Sequence, residues 1–100
     1  MTAVDLKTLT DADLWSQWDV ATKAMNAAYG ELSLLSKVRA DYNVKNYLRL
    51  HRTEEGKQQY RAAHLDFDAT EAEARTRFNA ASAVCGTYRA EAERRGLVQP

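Results

Sequence analysis

The chain has 100 residues, with 14 Lys and Arg against 14 Asp and Glu, so its formal charge is zero and it carries no bulk attraction for nucleic acid or anionic lipid. A single cysteine, Cys85, leaves no intramolecular disulfide framework and fits a reducing, cytoplasmic setting. No apolar run approaches the ~20 residues that cross a bilayer, and Met1 to Leu6 show no basic stretch leading into an apolar one, so neither insertion nor export is expected.

Only four glycines and one proline, at position 100, interrupt a composition rich in helix formers. The chain is therefore expected to be all-α. At Thr10-Asp11-Ala12-Asp13 a hydroxyl is followed by acids, which suit the unpaired amides and positive end of a helix, so a first helix is placed over residues 11–51. Within it Leu14, Trp18, Ala21, Met25, Ala28, Leu32, Leu35, Arg39 and Tyr42 recur with alternating steps of four and three, a heptad seam. Thr53-Glu54-Glu55-Gly56 repeats the start signal, and a second helix is placed over residues 54–95, with a turn at 52–53. Its seam keeps the same step through Tyr60, His64, Phe67, Glu71, Ala74, Phe78, Ala81, Cys85, Tyr88 and Ala92. Gly96 follows Arg94 and Arg95 as a stop whose cations suit the negative helix end.

These elements predict one domain over residues 1–100, a long antiparallel, coiled-coil-like helical hairpin in which residue i lies beside roughly 105 minus i. Each helix would run about 60 Å at about 1.5 Å per residue. Trp15 and Trp18 would lie beside Ser82 to Tyr88, where Ala83 and Gly86 leave room for indoles, and Met25 beside Ala80 and Ala81. The same relation puts Arg39 near Asp66, Lys37 near Asp68, Glu31 near Arg75 and His64 near Asp41. The alternative is a three-helix bundle with a break at Asp41-Tyr42-Asn43-Val44-Lys45-Asn46, where Asp and Asn favour caps and turns. Residues 1–9 and 97–100 are expected to fray, unless Leu6, Leu9, Leu97 and Val98 pack together at the shared end.

Nothing in the sequence has the spacing of a catalytic, metal or nucleotide site. His51 and His64 lack further ligands at metal-binding spacing, and Cys85 sits on the seam as a small hydrophobe. Glu71, Glu73, Glu91 and Glu93 with their neighbouring arginines read as a solvated helix face. Gly30 and Gly86 are isolated within helical patterns and read as places of close packing rather than a phosphate loop. No enzyme activity, cofactor, metal or small-molecule substrate is expected.

Two features stand out instead. Residues 37–61 carry seven cations against three acids, while residues 1–36 carry two against five, so the hairpin has a basic tip and an acidic root. At the tip Lys45, Tyr47, Arg49, Arg52, Lys57 and Arg61 mix cations with an aromatic ring, a combination suited to phosphates and bases or to an acidic protein. The second feature is surplus apolar surface on the first helix: Trp15, Trp18, Met25, Tyr29 and Leu32 form a candidate protein interface, widened by Leu34, Val38, Leu48 and Leu50. One partner helix covers one stripe, and Trp and Tyr dominate interface energies. The leading expectation is a non-enzymatic protein-interaction module that homodimerises into a four-helix arrangement or docks on a larger protein. Small helical chains of this kind are often accessory, assembly or inhibitory factors, including those that phages encode. The alternative is a nucleic-acid-contacting accessory protein that uses the basic tip.

Overall fold

The computed structural model describes residues 5–99. Helix α1 spans Asp11–Leu50 and helix α2 spans Glu54–Arg94, preceded by a single 3₁₀ turn at Leu6–Thr8. The two helices pack antiparallel as a hairpin, and no strand occurs among the described residues. The rod measures 63 × 28 × 19 Å with a radius of gyration of 20.3 Å. A compact domain of this length would have a radius of about 13 Å.

Both helices start where a threonine hydroxyl supplies a cap. Thr10 Oγ1 accepts from the Asp13 amide at 3.1 Å, and Thr53 Oγ1 accepts from the Gly56 amide at 3.0 Å. Acids fill each first turn, Asp11 and Asp13 in α1, Glu54 and Glu55 in α2. α2 stops at a Schellman arrangement: Gly96 takes φ of 75° and its amide donates to Glu93 O at 3.0 Å, while the Leu97 amide donates to Ala92 O at 2.9 Å. Each helix ends one residue before the sequence placement, because His51 and Arg95 serve as caps whose amides point back to Tyr47 O and Glu91 O.

The three-helix alternative is not needed. α1 continues through 41–46 because the side chains that could have made a turn are used elsewhere. Asn46 Nδ2 donates back to Tyr42 O at 2.9 Å, and Asn43 reaches across to α2.

Every residue of the two predicted seams is buried or half-buried. Leu14, Ala74 and Ala92 are fully enclosed, and Cys85 packs on the seam with its Sγ 4.0 Å from Thr22 Oγ1. The predicted level of one helix against the other also holds. Tyr88 Oη donates to Gln17 Oε1 at 3.1 Å, and Arg95 Nη1 donates to Asp11 Oδ1 at 2.9 Å. Four of the expected pairings nevertheless fail. Arg39 bonds Asp68 at 2.8 Å and Glu71 at 3.2 Å rather than Asp66, Glu31 pairs with Arg77 rather than Arg75, Lys37 makes no ion pair among the described residues, and His64 meets Arg39 and Asn43 rather than Asp41. A linear register gives the height along the rod but not the side of the seam. Glu31 and Arg77 flank the same side, whereas Arg75 flanks the other, and Lys37 lies on the outward face of its helix.

The glycines divide differently from the sequence reading. Gly30 and Gly86 have open space where a Cβ would stand, so neither provides close packing, and Gly86 is not the relief for the indoles. Gly56 is the glycine that matters. A Cβ there would lie 1.9 Å from Leu50 O and 2.7 Å from Leu50 C, both backbone atoms. Leu50, which the sequence placed in the exposed arc, is buried at this crossing.

The shared end is ordered rather than frayed over the described residues. Asp5 Oδ1 caps the 3₁₀ turn by accepting from the Lys7 amide at 3.1 Å, and Arg95 Nη2 donates to Leu6 O at 2.7 Å. Leu6, Leu9, Leu97 and Val98 are each half-buried there. Residues 1–4 and 100, also placed in the fraying ends, lie outside the described residues. No helix among the described residues is long and apolar enough to cross a membrane.

Gly56→Ala should destabilise the fold by roughly 3 kcal/mol or more, since backbone atoms must separate to admit the methyl group. Gly30→Ala and Gly86→Ala should be neutral or stabilising by up to about 1 kcal/mol through helix propensity alone. Thermal melts of the three variants followed by circular dichroism check both outcomes.

Candidate interaction surfaces

The predicted apolar interface divides between two environments. Trp18, Met25 and Leu32 belong to the seam and are half-buried against α2. Trp15 is exposed and stacks on Trp18 with ring centroids 5.2 Å apart and planes at 18°. Tyr29 is also exposed, its ring tilted against Phe78 at 5.8 Å. Trp18 and Met25 line a shallow groove with Thr22, Ser82, Cys85 and Arg89, open on the Gly86 side.

A second apolar line, on the opposite flank of α1, was not isolated from the sequence as a stripe of its own. Val20, Leu34, Val38 and Leu48 are exposed on it, with Val44 beside them. Near its start, Gln17, Val20, Ala21, Ala24, Val84 and Tyr88 line a mainly apolar groove between the helices. The signal was present as a second alternation of four and three in the same helix, starting from Val20, but Leu34, Val38 and Leu48 were read only as a widening of the first stripe.

At the tip the structure neutralises part of the basic cluster. Lys45 pairs with Asp41 at 2.9 Å and Lys57 with Glu54 at 3.1 Å. The hydrogen bond that Arg39 donates to Asp68 is the main reason its guanidinium is held even more firmly protonated than usual. Arg49 Nη2 donates to Asn46 Oδ1 at 2.7 Å, and Arg52 and Arg61 are exposed. Tyr47 lies half in solvent, its ring 4.1 Å from His51 and 5.7 Å from Tyr60. The tip thus carries exposed Arg49, Arg52 and Arg61 together with the rings of Tyr47, His51 and Tyr60, without an acid paired to any of the three arginines among the described residues.

Between tip and middle runs a polar network that crosses the seam. Asn43 Oδ1 accepts from Tyr60 Oη at 2.9 Å and from His64 Nε2 at 2.7 Å. The other ring nitrogen, Nδ1, lies 2.8 Å from Arg39 Nη2. A guanidinium only donates, so Nδ1 accepts and the proton of the neutral ring sits on Nε2, where Asn43 needs a donor. Tyr42 and Phe67 enclose the imidazole edge-on. The sequence showed His64 on the seam but not its partners, because Asn43 flanks the seam rather than lying on it.

At the opposite end Glu91 departs furthest from its sequence reading as a solvated residue. Its side chain is almost fully buried and takes bonds from Arg94 Nε at 2.6 Å and Arg95 Nε at 3.1 Å. The Arg94 hydrogen bond foremost, then Arg95, pull its pKa down to about 2, against the desolvation that would raise it. Arg95 carries the contact onward to Asp11 and Leu6 O, tying α2, α1 and the 3₁₀ turn together. Among the described residues no group of three His, Cys, Asp or Glu side chains is placed to hold a metal ion.

Asn43→Ala should cost about 1–3 kcal/mol, because Tyr60 Oη and the His64 ring lose a shared acceptor inside the packed seam. Denaturant titration of that variant beside Asn46→Ala, whose amide bonds only its own helix, gives the contrast. Glu91 is depressed in the folded state, so its contribution is complete above the ordinary carboxylate value of 4.5 and is lost as pH falls through about 2. Melts from pH 7 down to pH 2 should show a steeper acid limb for the parent than for Glu91→Gln, which starts less stable and stays flatter.

No protein-family profile, no curated protein and no solved structure matches this chain.

Proposed function

We propose that the chain is a non-enzymatic helical interaction module, a small accessory, assembly or inhibitory factor that acts by self-association or by docking on a larger protein in the cytoplasm. The observation that supports this reading is the thinness of the hairpin. Among the described residues, Leu14 is the one large apolar side chain that is fully buried, while Val20, Tyr29, Leu34, Val44 and Leu48 stay mostly in solvent. The chain exposes 7329 Å². A compact monomer of its 11.3 kDa would expose roughly 5,700 Å². The surplus, on the order of 1,600 Å², follows from the rod shape and exceeds the roughly 800 Å² that one partner contributes to a standard protein–protein interface. Contiguous apolar surface beyond a few hundred Å² marks an interaction site on most soluble proteins.

The second reading keeps one specific observation, three exposed arginines, Arg49, Arg52 and Arg61, on the same tip as the half-exposed Tyr47, groups that suit phosphates and a stacked base. Binding through them would weaken steeply with salt as counterions are released, whereas an apolar protein interface would not.

Sedimentation equilibrium of the purified chain over a rising concentration series should give a mass above the 11.3 kDa of one copy, little changed between low and high salt. Anisotropy with labelled single- and double-stranded oligonucleotides at the same two salt concentrations should show no micromolar binding. Micromolar binding lost in an Arg49→Glu, Arg52→Glu double variant that keeps its helicity would put the second reading first.

A further inference from the structure

The exposed flank of α1 has a period of its own. Val20, Ala24, Ala27, Glu31, Leu34, Val38, Asp41, Lys45 and Leu48 follow one another in steps of four and three, as the buried seam does. Val20 is 65 % exposed, Leu34 60 %, Val38 47 % and Leu48 77 %, with Val44 beside them at 86 %. A heptad stripe keeps facing the same neighbour along its whole length only when that neighbour is another helix wound against it.

The charges within the stripe are already answered inside the chain. Glu31 bonds Arg77, and Asp41 bonds Lys45 at 2.9 Å. The net charge of the face is therefore close to zero: with antiparallel copies Glu31 of one comes level with Asp41 of the other, but each acid arrives already held by a cation of its own chain, Arg77 and Lys45. Residue sizes then set the direction. Ala24 lies toward one end of the stripe and Leu48 toward the other, at equal distance from a centre between Leu34 and Val38. Antiparallel copies lay Leu48 on Ala24 at both ends, while parallel copies would set Leu48 against Leu48 and Ala24 against Ala24, spacings that one straight helix pair does not satisfy together. Beside Ala24, moreover, lies the apolar groove formed with Val20, Ala21, Val84 and Tyr88. It is placed to receive a large side chain.

We infer that a second copy of this chain covers this flank, α1 against α1 and antiparallel, with the two-fold axis between Leu34 and Val38 and Leu48 of each copy seated in the groove beside Ala24 of the other. The product is a four-helix bundle. The inference rests on the self-association reading above and narrows it to one face and one direction.

The test uses the whole chain in a Cys85→Ala background, so that introduced cysteines are the only thiols. Leu34→Asp with Val38→Asp should weaken the dimer roughly 30-fold or more while helicity and melting cooperativity persist, since both side chains face solvent in the single copy. Ala24→Cys with Leu48→Cys should oxidise rapidly to a covalent dimer, whereas Leu48→Cys alone should not. A dimer that survives the double aspartate variant overturns the assignment of the face and leaves self-association standing. Rapid crosslinking by Leu48→Cys alone overturns the antiparallel direction. A parent that remains at single-chain mass at every concentration overturns the inference together with self-association, and leaves docking on a different protein as the remaining form of the functional reading.

Discussion

Where the chain reverses, the backbones of Leu50 and Gly56 approach so closely that no side-chain carbon fits between them. That approach fixes the starting distance and phase of the two helices, and both then advance by the same rise per residue. Every later pairing inherits its height from this point: Asn43 with Tyr60, Thr22 with Cys85, Gln17 with Tyr88, Asp11 with Arg95. Thr53 supports the reversal from the other side by capping the Gly56 amide. With no third helix to correct an error, a shift at the turn would displace the entire seam.

The seam itself grades along its length. Near the acidic root its buried residues are Leu14 and the small Ala21, Cys85 and Ala92, with Trp18, Met25 and Tyr88 half-buried beside them. Toward the tip the seam is built from rings, with Tyr42, Tyr60, His64 and Phe67 clustered and a shared acceptor at Asn43. Aromatic side chains bring more buried area per residue, and their polar edges need partners when enclosed, which the Asn43 and Arg39 bonds supply. The tip thus joins its rings through shared hydrogen bonds, and the root joins small buried side chains to the Glu91 and Arg95 bonds at its end.

Much of the architecture was legible because its signals are local and periodic. Two hydroxyl-acid starts, a glycine stop and one repeated step determine two helices, their lengths and their buried faces. Three things were not legible. Which side of the seam a flanking residue occupies depends on the rotation of each helix, so Glu31 was matched to the height of Arg77 but to the wrong neighbour, Arg75. Glu91 looks like any surface acid in the sequence, and only the convergence of Arg94, Arg95, Asp11 and Leu6 at one end makes it a buried anchor. Gly56 was hidden within a capping motif, since its role comes from a backbone crossing rather than from any neighbour in sequence. The exposed flank of α1 differs from these: its period was in the letters, and the first stripe, richer in tryptophan, obscured it.

The buried anchor at Glu91 also bears on how the hairpin closes. Bonded partners across the seam are 17 residues apart at Asn43 and Tyr60 but 84 apart at Asp11 and Arg95. Joining the far end first would close almost the whole chain as one loop, whereas zipping outward from the turn closes only a small increment at each step. The root is therefore the last region to assemble and, in local fluctuations, the first to part. A cluster of charge-assisted bonds at Glu91 and Arg95 stands where a zipper needs its clasp, so the one buried carboxylate among the described residues sits at the point where the topology is weakest.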